Sequence, residues 1–209
     1  MRFSARMSGV RRSYIREILK VTQNPEVISF AGGLPSPDHF PAKAFAQAAA
    51  DVLADNGPQA LQYSITEGFP PLREFISRRY KEKWGMDIPV DEILITTGSQ
   101  QGLDLRAKVL LDVGDPVLIE RPGYLGAIQC FSLFGARFVT ADLAPSGVDL
   151  DQLKEGLGHR PKIFYAVPSF QNPSGATYDE ETRTRAAELL AGSDTVLLED
   201  NPYGELRFK

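Results

Sequence analysis

The chain reads IFYAVPSFQNPSG over residues 163–175. The first five of these residues are apolar or aromatic throughout, whereas the remaining eight are dense in Pro, Ser, Asn and Gly. A short, fully apolar run that ends in turn-forming residues is typical of a strand buried on both faces of a parallel sheet. The segment therefore predicts a strand followed by a loop at its carboxyl end.

The same pattern occurs on both sides of this segment, beyond about residue 90. The other short apolar or β-branched runs are Ile93–Thr97, Val117–Glu120, Phe138–Ala141 and Val196–Glu199. Helical periodicity between the runs covers Gln100–Leu111, Tyr124–Phe134, Leu150–Leu157 and Asp179–Leu190. Strands that alternate with helices in this way predict an α/β fold with helices on both faces of a parallel sheet.

The first 90 residues lack strand alternation. They are predicted to contain a basic amphipathic helix around residues 13–21, a Gly/Pro-rich loop AGGLPSP at 31–37, and helices over Ala42–Asp55 and Pro71–Trp84. We interpret this part as an arm and entry region that precedes the sheet.

Composition narrows the function classes. The 209 residues are 43% hydrophobic and carry a formal charge of −4, with no Lys/Arg run of the kind that binds a phosphate backbone. No segment approaches the roughly 18 apolar residues of a membrane span, and the first residues lack an apolar signal stretch. We expect a cytoplasmic protein without nucleic-acid or membrane partners.

A metal or disulfide framework is not expected either. The single cysteine, Cys130, has apolar neighbours, which favours a core thiol over a reactive one. The two histidines, His39 and His159, have no partner at metal-ligand spacing and are interpreted as surface residues.

Ligands of open parallel sheets bind where strands end at their carboxyl edge, so the residues after each run are candidates. After the first run, Ser99 is expected to cap a helix. The amino terminus of this helix suits a phosphate, or the segment is an ordinary loop between a strand and a capped helix. After the second, Tyr124 is placed to stack on a planar ring or simply to cover the sheet end.

The last two strand ends carry an amide and an acid. Asn172 stands before a proline, either as a directed amide or as a turn former. Asp200 ends an apolar run, where a carboxylate is costly without a cationic partner, and Pro202 and Gly204 argue against a helix cap. A phosphate site, a stacking ring, an amide and an acid together suit pyridoxal phosphate, whose pyridine nitrogen an Asp keeps protonated.

At this point the chain resembles a known family, the fold-type I pyridoxal-phosphate aminotransferases of classes I and II, in the branch of the α-aminoadipate and kynurenine aminotransferases. The resemblance is carried by SFAGGLP at 29–35, LQYS at 61–64, TTGSQQ at 96–101, PSFQNPSG at 168–175 and EDNPY at 199–203. It implies an incomplete three-layer parallel-sheet large domain with an N-terminal helical arm. Residues 1–40 would form the arm and substrate-carboxylate loop, and residues 41–209 the amino-terminal part of the cofactor-binding domain.

The resemblance also implies roles for the strand-end residues. Ser99 and Gln100 would bind the cofactor phosphate, and Tyr124 would stack on its ring. Asn172 and Tyr203 would hydrogen-bond the ring hydroxyl oxygen. Asp200 would pair with the pyridinium nitrogen.

Substrate contacts are implied in the same way. Tyr63 would reach the cofactor phosphate and substrate of a neighbouring subunit, so a homodimer is expected. Gly33 would line the substrate carboxylate pocket through its backbone, and Asn172 would border the same pocket. Arg16 would meet an acidic substrate side chain, with a solvated arginine as the equal alternative.

The family lysine that forms the Schiff base is expected about 35 residues beyond the Asp, whereas Lys209 follows Asp200 by only nine residues (209 − 200) in an unmatched context. The sequence is therefore interpreted as part of an aminotransferase that moves an amino group from an amino acid to a 2-oxo acid. The alternatives are the aminotransferase-like effector domain of a winged-helix transcription regulator, and a lyase or decarboxylase with the same cofactor.

Overall fold

The computed structural model describes residues 3–4, 6–7, 26–28 and 35–207. The predicted helix around 13–21, the residues Arg16 and Gly33, and Lys209 lie outside the described residues. The chain divides into two compact units, one over Arg11–Ile95 and one that combines Met1–Val10 with Thr96–Lys209. The expected division into residues 1–40 and 41–209 differs from these two units and stays a prediction.

The unit over Arg11–Ile95 contains two long helices, α1 (Ala42–Ala60) and α2 (Pro70–Trp84). Helix α1 runs past the predicted end at Asp55 because a kink at Asn56, with φ −137°, joins a second short helical piece. Helix α2 begins with proline, whose fixed φ suits a first helical position, and ends at Gly85 in the left-handed region with φ 68°. The helices predicted over Ala42–Asp55 and Pro71–Trp84 are thus confirmed.

The prediction of a strand at Ile93–Thr97 is wrong. No strand of the described sheet pairs with this segment, and the Ile95 N–H donates instead to Glu67 O at 2.9 Å. An apolar, β-branched run becomes a strand only where a neighbouring strand offers a hydrogen-bonding ladder. In the described part of the chain, residues 93–97 have no such neighbour.

The second unit contains the sheet. Its strands are β1 (Pro116–Arg121), β2 (Arg137–Ala144), β3 (Gly147–Val148), β4 (Ile163–Ala166) and β5 (Val196–Glu199). They lie in the order β3-β2-β1-β4-β5, and every pairing is parallel except that of β2 with β3. The four predicted strands of this unit are confirmed, whereas β3 has only two residues and offers no periodicity to detect.

Helices cover both faces of this sheet. They are α3 (Ser99–Leu110), α4 (Leu125–Leu133), α5 (Leu150–Leu157) and α6 (Glu180–Ala191), each within two residues of its predicted bounds. Leu103 of α3 and Phe131 of α4 pack with Val117 and Ile119 in one core layer. The opposite layer holds Leu118, Phe164, Leu153 of α5, and Ala186 and Leu190 of α6. The expected three-layer α/β architecture is thus confirmed.

Cys130 lies in the first of these layers with 3% of its surface exposed. Burial raises the pKa of its thiol, so the thiolate form is disfavoured. The interpretation of Cys130 as a core residue is confirmed. In the described ranges, no helix is long and apolar enough to cross a membrane.

Helix α5 begins at a strong side-chain cap. Asp149 Oδ1 accepts hydrogen bonds from the backbone N–H groups of Asp151 at 3.0 Å and Gln152 at 2.9 Å. Replacing Asp149 by alanine should lower the free energy of unfolding by about 1 kcal/mol, since two N–H groups lose their acceptor. Urea denaturation measures this change. Glu155→Ala, at an exposed position of the same helix, is the control, and an equal loss in both variants would contradict the capping role.

Candidate functional site

The carboxyl ends of β1, β4 and β5 lie side by side, because β4 pairs in parallel with both of the others. A cavity of about 120 Å³ lies at this edge of the sheet. It is lined by Ser99, Tyr124, Tyr165, Val167, Asn172, Asp200, Pro202 and Tyr203. Five of the six residues expected to bind a cofactor therefore line one cavity, whereas Gln100 follows Ser99 in α3 and does not line it.

The acid of this cavity has a fixed position. The Asp200 N–H donates to Ala166 O at 2.9 Å, which continues the pairing of β5 with β4. Its carboxylate Oδ2 accepts a hydrogen bond from the Tyr165 hydroxyl at 2.7 Å. One of its oxygens is thus engaged from within the protein, while the residue still borders the cavity.

Tyr165 is a site residue that the sequence did not single out. Its side chain is 1% exposed, and burial, followed by the hydrogen bond to Asp200, raises its pKa far above the usual value of a phenol. The hydroxyl therefore remains a donor at neutral pH. A tyrosine within an otherwise apolar strand was the available signal, because a buried phenol needs a hydrogen-bond partner.

The start of α3 differs in one respect from the expectation. Ser99 is the first helical residue and makes no capping hydrogen bond; Gly98 occupies the cap position with φ 78°, a conformation that glycine adopts without strain. The Ser99 hydroxyl is therefore not used as a cap. The first N–H groups of a helix have no intrahelical partner, so this end of the cavity suits an anion.

Tyr124 covers the end of the sheet and also lines the cavity, while its stacking on a planar ring stays a prediction. It directly precedes α4, its ring packs against the core layer that contains Phe131, and it lines the cavity. A Cβ atom at Gly126 would lie 2.7 Å from two ring atoms of Tyr124. Glycine at position 126 is thus required for the observed place of the ring.

Asn172 and Tyr203 are presented by tight loops. The loop of Asn172 is closed by the Gln171 N–H, which donates to Ala176 O at 2.8 Å. The loop of Tyr203 is closed by Asn201 Oδ1, which accepts from the Gly204 N–H at 2.9 Å. Both side chains therefore reach the cavity from structured turns.

Tyr63 belongs to the unit over Arg11–Ile95 and is 99% exposed. Arg16 and Gly33 lie outside the described residues, so their substrate roles stay predictions, as do the cofactor contacts assigned to the individual cavity residues.

The fold and the cavity define an α/β protein with a cavity at the carboxyl edge of a parallel sheet, where such folds bind ligands. Residues 25–209 match the family model described as aminotransferase class I and II. The chain belongs to this family, whose members use pyridoxal 5′-phosphate.

Two similar proteins illustrate the relation. The chain is 48% identical over 200 residues to a 2-aminoadipate transaminase of Thermus thermophilus, covering 95% of the chain and 49% of that protein. It superposes with a TM-score of 0.90 and 38% identity on Pyrococcus horikoshii kynurenine aminotransferase, solved in complex with PMP, covering 99% of the chain and 52% of that structure. The chain thus spans about half the length of the relatives it matches.

A regulator is also among the similar proteins. The chain is 32% identical over 202 residues to an uncharacterized HTH-type transcriptional regulator of Escherichia coli K12, covering 94% of the chain and 42% of that protein.

Proposed function

We propose that this chain forms the cofactor cradle of a pyridoxal 5′-phosphate-dependent aminotransferase that moves an amino group from an amino acid to a 2-oxo acid. The observation that carries the proposal is the carboxylate of Asp200, which borders the cavity and is fixed by the buried hydroxyl of Tyr165. An oriented carboxylate at the carboxyl edge of a parallel sheet suits a protonated ring nitrogen.

The other cavity residues fit the rest of the cofactor. The start of α3, with Ser99 and Gln100, offers N–H groups and side-chain donors for the phosphate. Tyr124 offers a ring face, and Asn172 and Tyr203 offer donors for the ring hydroxyl oxygen. When bound, pyridoxal phosphate supplies an electron sink for the breaking of a bond to the substrate's α-carbon.

The chain's own residues would bind and orient the cofactor, and Asp200 would hold the proton on its ring nitrogen. The lysine that the family uses for proton transfer is proposed to come from outside these residues, since no described residue that lines the cavity is a lysine. The 209 residues would therefore bind the cofactor without turning over substrate.

An acidic or aromatic amino acid is the proposed donor class, with 2-oxoglutarate as acceptor. The support is the pair of relatives named for 2-aminoadipate and kynurenine. Arg16 is the proposed contact for an acidic side chain, and Gly33 for the substrate carboxylate.

A homodimer is proposed as the assembly. Tyr63 leaves 99% of its surface exposed within one chain and is thus available to a neighbouring subunit's cofactor. A cytoplasmic location and a role in amino-acid metabolism complete the proposal.

Ligand binding tests the cradle directly. The 209-residue chain should bind pyridoxamine 5′-phosphate, which needs no covalent bond to the protein, about tenfold or more tightly than pyridoxamine without phosphate. Isothermal titration calorimetry with both compounds measures the difference. Absence of saturable binding, or equal affinity for the two, would contradict the proposed cradle.

Turnover separates the aminotransferase from its alternatives. A version extended through the downstream reading frame should convert 2-aminoadipate or kynurenine with 2-oxoglutarate, whereas the 209-residue chain should not. The regulator alternative, which the similarity to an HTH-type protein favours, predicts instead no turnover by the extended form. Release of carbon dioxide or ammonia without amino transfer would indicate a decarboxylase or lyase.

A further inference from the structure

Glu120 is a buried acid that does not line the cavity. It lies near the carboxyl end of β1, with 1% of its surface exposed. Burial raises the pKa of its carboxyl group, and its hydrogen bonds oppose that effect. A carboxylate in such a place is costly unless donors satisfy it, so the identity of its donors matters.

Three donors from distant parts of the chain meet this carboxylate. Oε1 accepts from the Val167 N–H at 3.1 Å and from the Tyr178 hydroxyl at 2.7 Å. Oε2 accepts from Gln171 Nε2 at 3.2 Å. The two oxygens thus have different contacts, because Oε1 accepts from the two ends of the segment 167–178 while Oε2 accepts from Gln171, the residue directly before Asn172.

Gln171 connects this acid to both loops on that side of the cavity. It is 1% exposed, and its Nε2 also donates to Pro122 O at 2.8 Å, two residues before Tyr124. Its Oε1 accepts from the Ser174 N–H at 2.8 Å and from the Ser174 hydroxyl at 2.6 Å. Both the nitrogen and the oxygen of the Gln171 side-chain amide are therefore held by hydrogen bonds, directly before Asn172.

The Tyr178 contact lies on the other side of the sheet. Tyr178 packs in the core layer of Phe164 and Leu153, and it does not line the cavity. Its hydroxyl satisfies Glu120 Oε1, whereas its backbone N–H donates to Pro168 O at 2.9 Å at the base of the Asn172 loop, a bond that Tyr178→Phe keeps. Tyr178 therefore provides a matched control for the bond to Gln171.

We propose that Glu120 is a positioning residue for the cofactor, which acts through Gln171 to hold the Asn172 amide toward the ring hydroxyl oxygen without touching the cofactor itself. This inference rests on the proposed function, since it assumes that the cavity binds a pyridoxal-type ring. The inference gives Glu120 a role in ligand binding. If Glu120 were purely structural, its replacement would not change the selectivity between ligands.

The variant Glu120→Gln isolates the proposed contact. An amide carbonyl in the place of Oε1 still accepts from the Val167 N–H and the Tyr178 hydroxyl. The amide NH₂ in the place of Oε2 faces Gln171 Nε2, a donor, so that this bond alone is lost. Tyr178→Phe removes the other side-chain bond of the same carboxylate and serves as the control.

The test compares two ligands, pyridoxamine 5′-phosphate and its 3-deoxy analogue, which lacks the ring hydroxyl. Glu120→Gln should weaken binding of pyridoxamine 5′-phosphate about tenfold, the effect of one hydrogen bond, and binding of the analogue less than about twofold. Tyr178→Phe should leave the ratio of the two affinities unchanged. Calorimetry on the 209-residue chain provides all the dissociation constants.

Each outcome decides the matter. A selective loss for the hydroxylated ligand supports the positioning role, whereas equal losses for both ligands, or none, would overturn it while leaving the proposed cradle intact. Failure of the unchanged chain to bind either ligand would overturn the proposed function, and the inference with it. If Glu120→Gln does not fold, Gln171→Met removes the same connection and must show the same selective loss, or the inference is wrong.

Discussion

Replacement of Asp200 by alanine is expected to weaken binding of pyridoxamine 5′-phosphate about 100-fold. A hydrogen bond between charged groups contributes roughly 1.5–3 kcal/mol, and 2.7 kcal/mol corresponds to a factor of about 100 in affinity. The variant also deprives the buried Tyr165 hydroxyl of its acceptor at 2.7 Å, which lowers the free energy of unfolding in addition. Titration calorimetry on the 209-residue chain measures the affinity.

Two further variants separate the charge of Asp200 from its contact with Tyr165. Asp200→Asn keeps a carbonyl oxygen for the Tyr165 hydroxyl but removes the negative charge, so an intermediate loss of about tenfold is expected. Glu199→Gln neutralises the adjacent acid, whose side chain does not line the cavity, and should change the affinity less than about twofold. If Asp200→Ala and Glu199→Gln bind equally well, Asp200 is not the ring-nitrogen partner.

The position of Asp200 could be predicted because it depends on local features. An apolar run that ends in an acid and continues into Pro and Gly marks a strand end, and parallel strands bring their carboxyl ends to one edge. The same reasoning predicted that Tyr124 and Asn172 lie at this edge of the sheet, and all three residues line the same cavity. The bounds of helix α5 were likewise predicted to the residue from its periodicity, and the structure adds that Asp149 caps its start.

The supporting residues were not predictable in this way because their partners are distant in sequence. Tyr165 donates to an acid 35 positions further along the chain, and Glu120 accepts from Gln171 across 51 positions. Tyr165 and Glu120 each interrupt the apolar pattern of their own strand, and neither has a hydrogen-bond partner nearby in the sequence. The wrong strand at Ile93–Thr97 has the same origin, because pairing depends on a neighbour that the local sequence does not specify.

Tyr165 in turn depends on packing from the helix layer. Phe131 of α4 is 0% exposed, and its ring meets that of Tyr165 edge-on, with centroids 6.0 Å apart and an interplanar angle of 72°. The packing of one face of the sheet thus supports the phenol that orients Asp200. Loss of this ring should therefore affect both stability and ligand binding.

Phe131→Ala is expected to lower the free energy of unfolding by about 4 kcal/mol, since removal of a buried phenyl ring leaves a cavity in a close-packed core. Affinity for pyridoxamine 5′-phosphate should also fall a few-fold, because Tyr165 loses its edge-on contact and holds Asp200 less rigidly. Urea denaturation followed by circular dichroism measures the first change, and calorimetry below the unfolding transition measures the second.

Val109→Ala is the matched control for this prediction, since Val109 is 80% exposed on α3 and its truncation should cost less than about 0.5 kcal/mol. Phe131→Leu retains most of the buried volume and should give a smaller loss of about 1–2 kcal/mol, which keeps the series measurable if the alanine variant unfolds. A loss below about 1 kcal/mol in Phe131→Ala would contradict the packing role. The expected loss of about 1–2 kcal/mol in Phe131→Leu with unchanged ligand affinity would show that the layer supports the fold but does not position Tyr165.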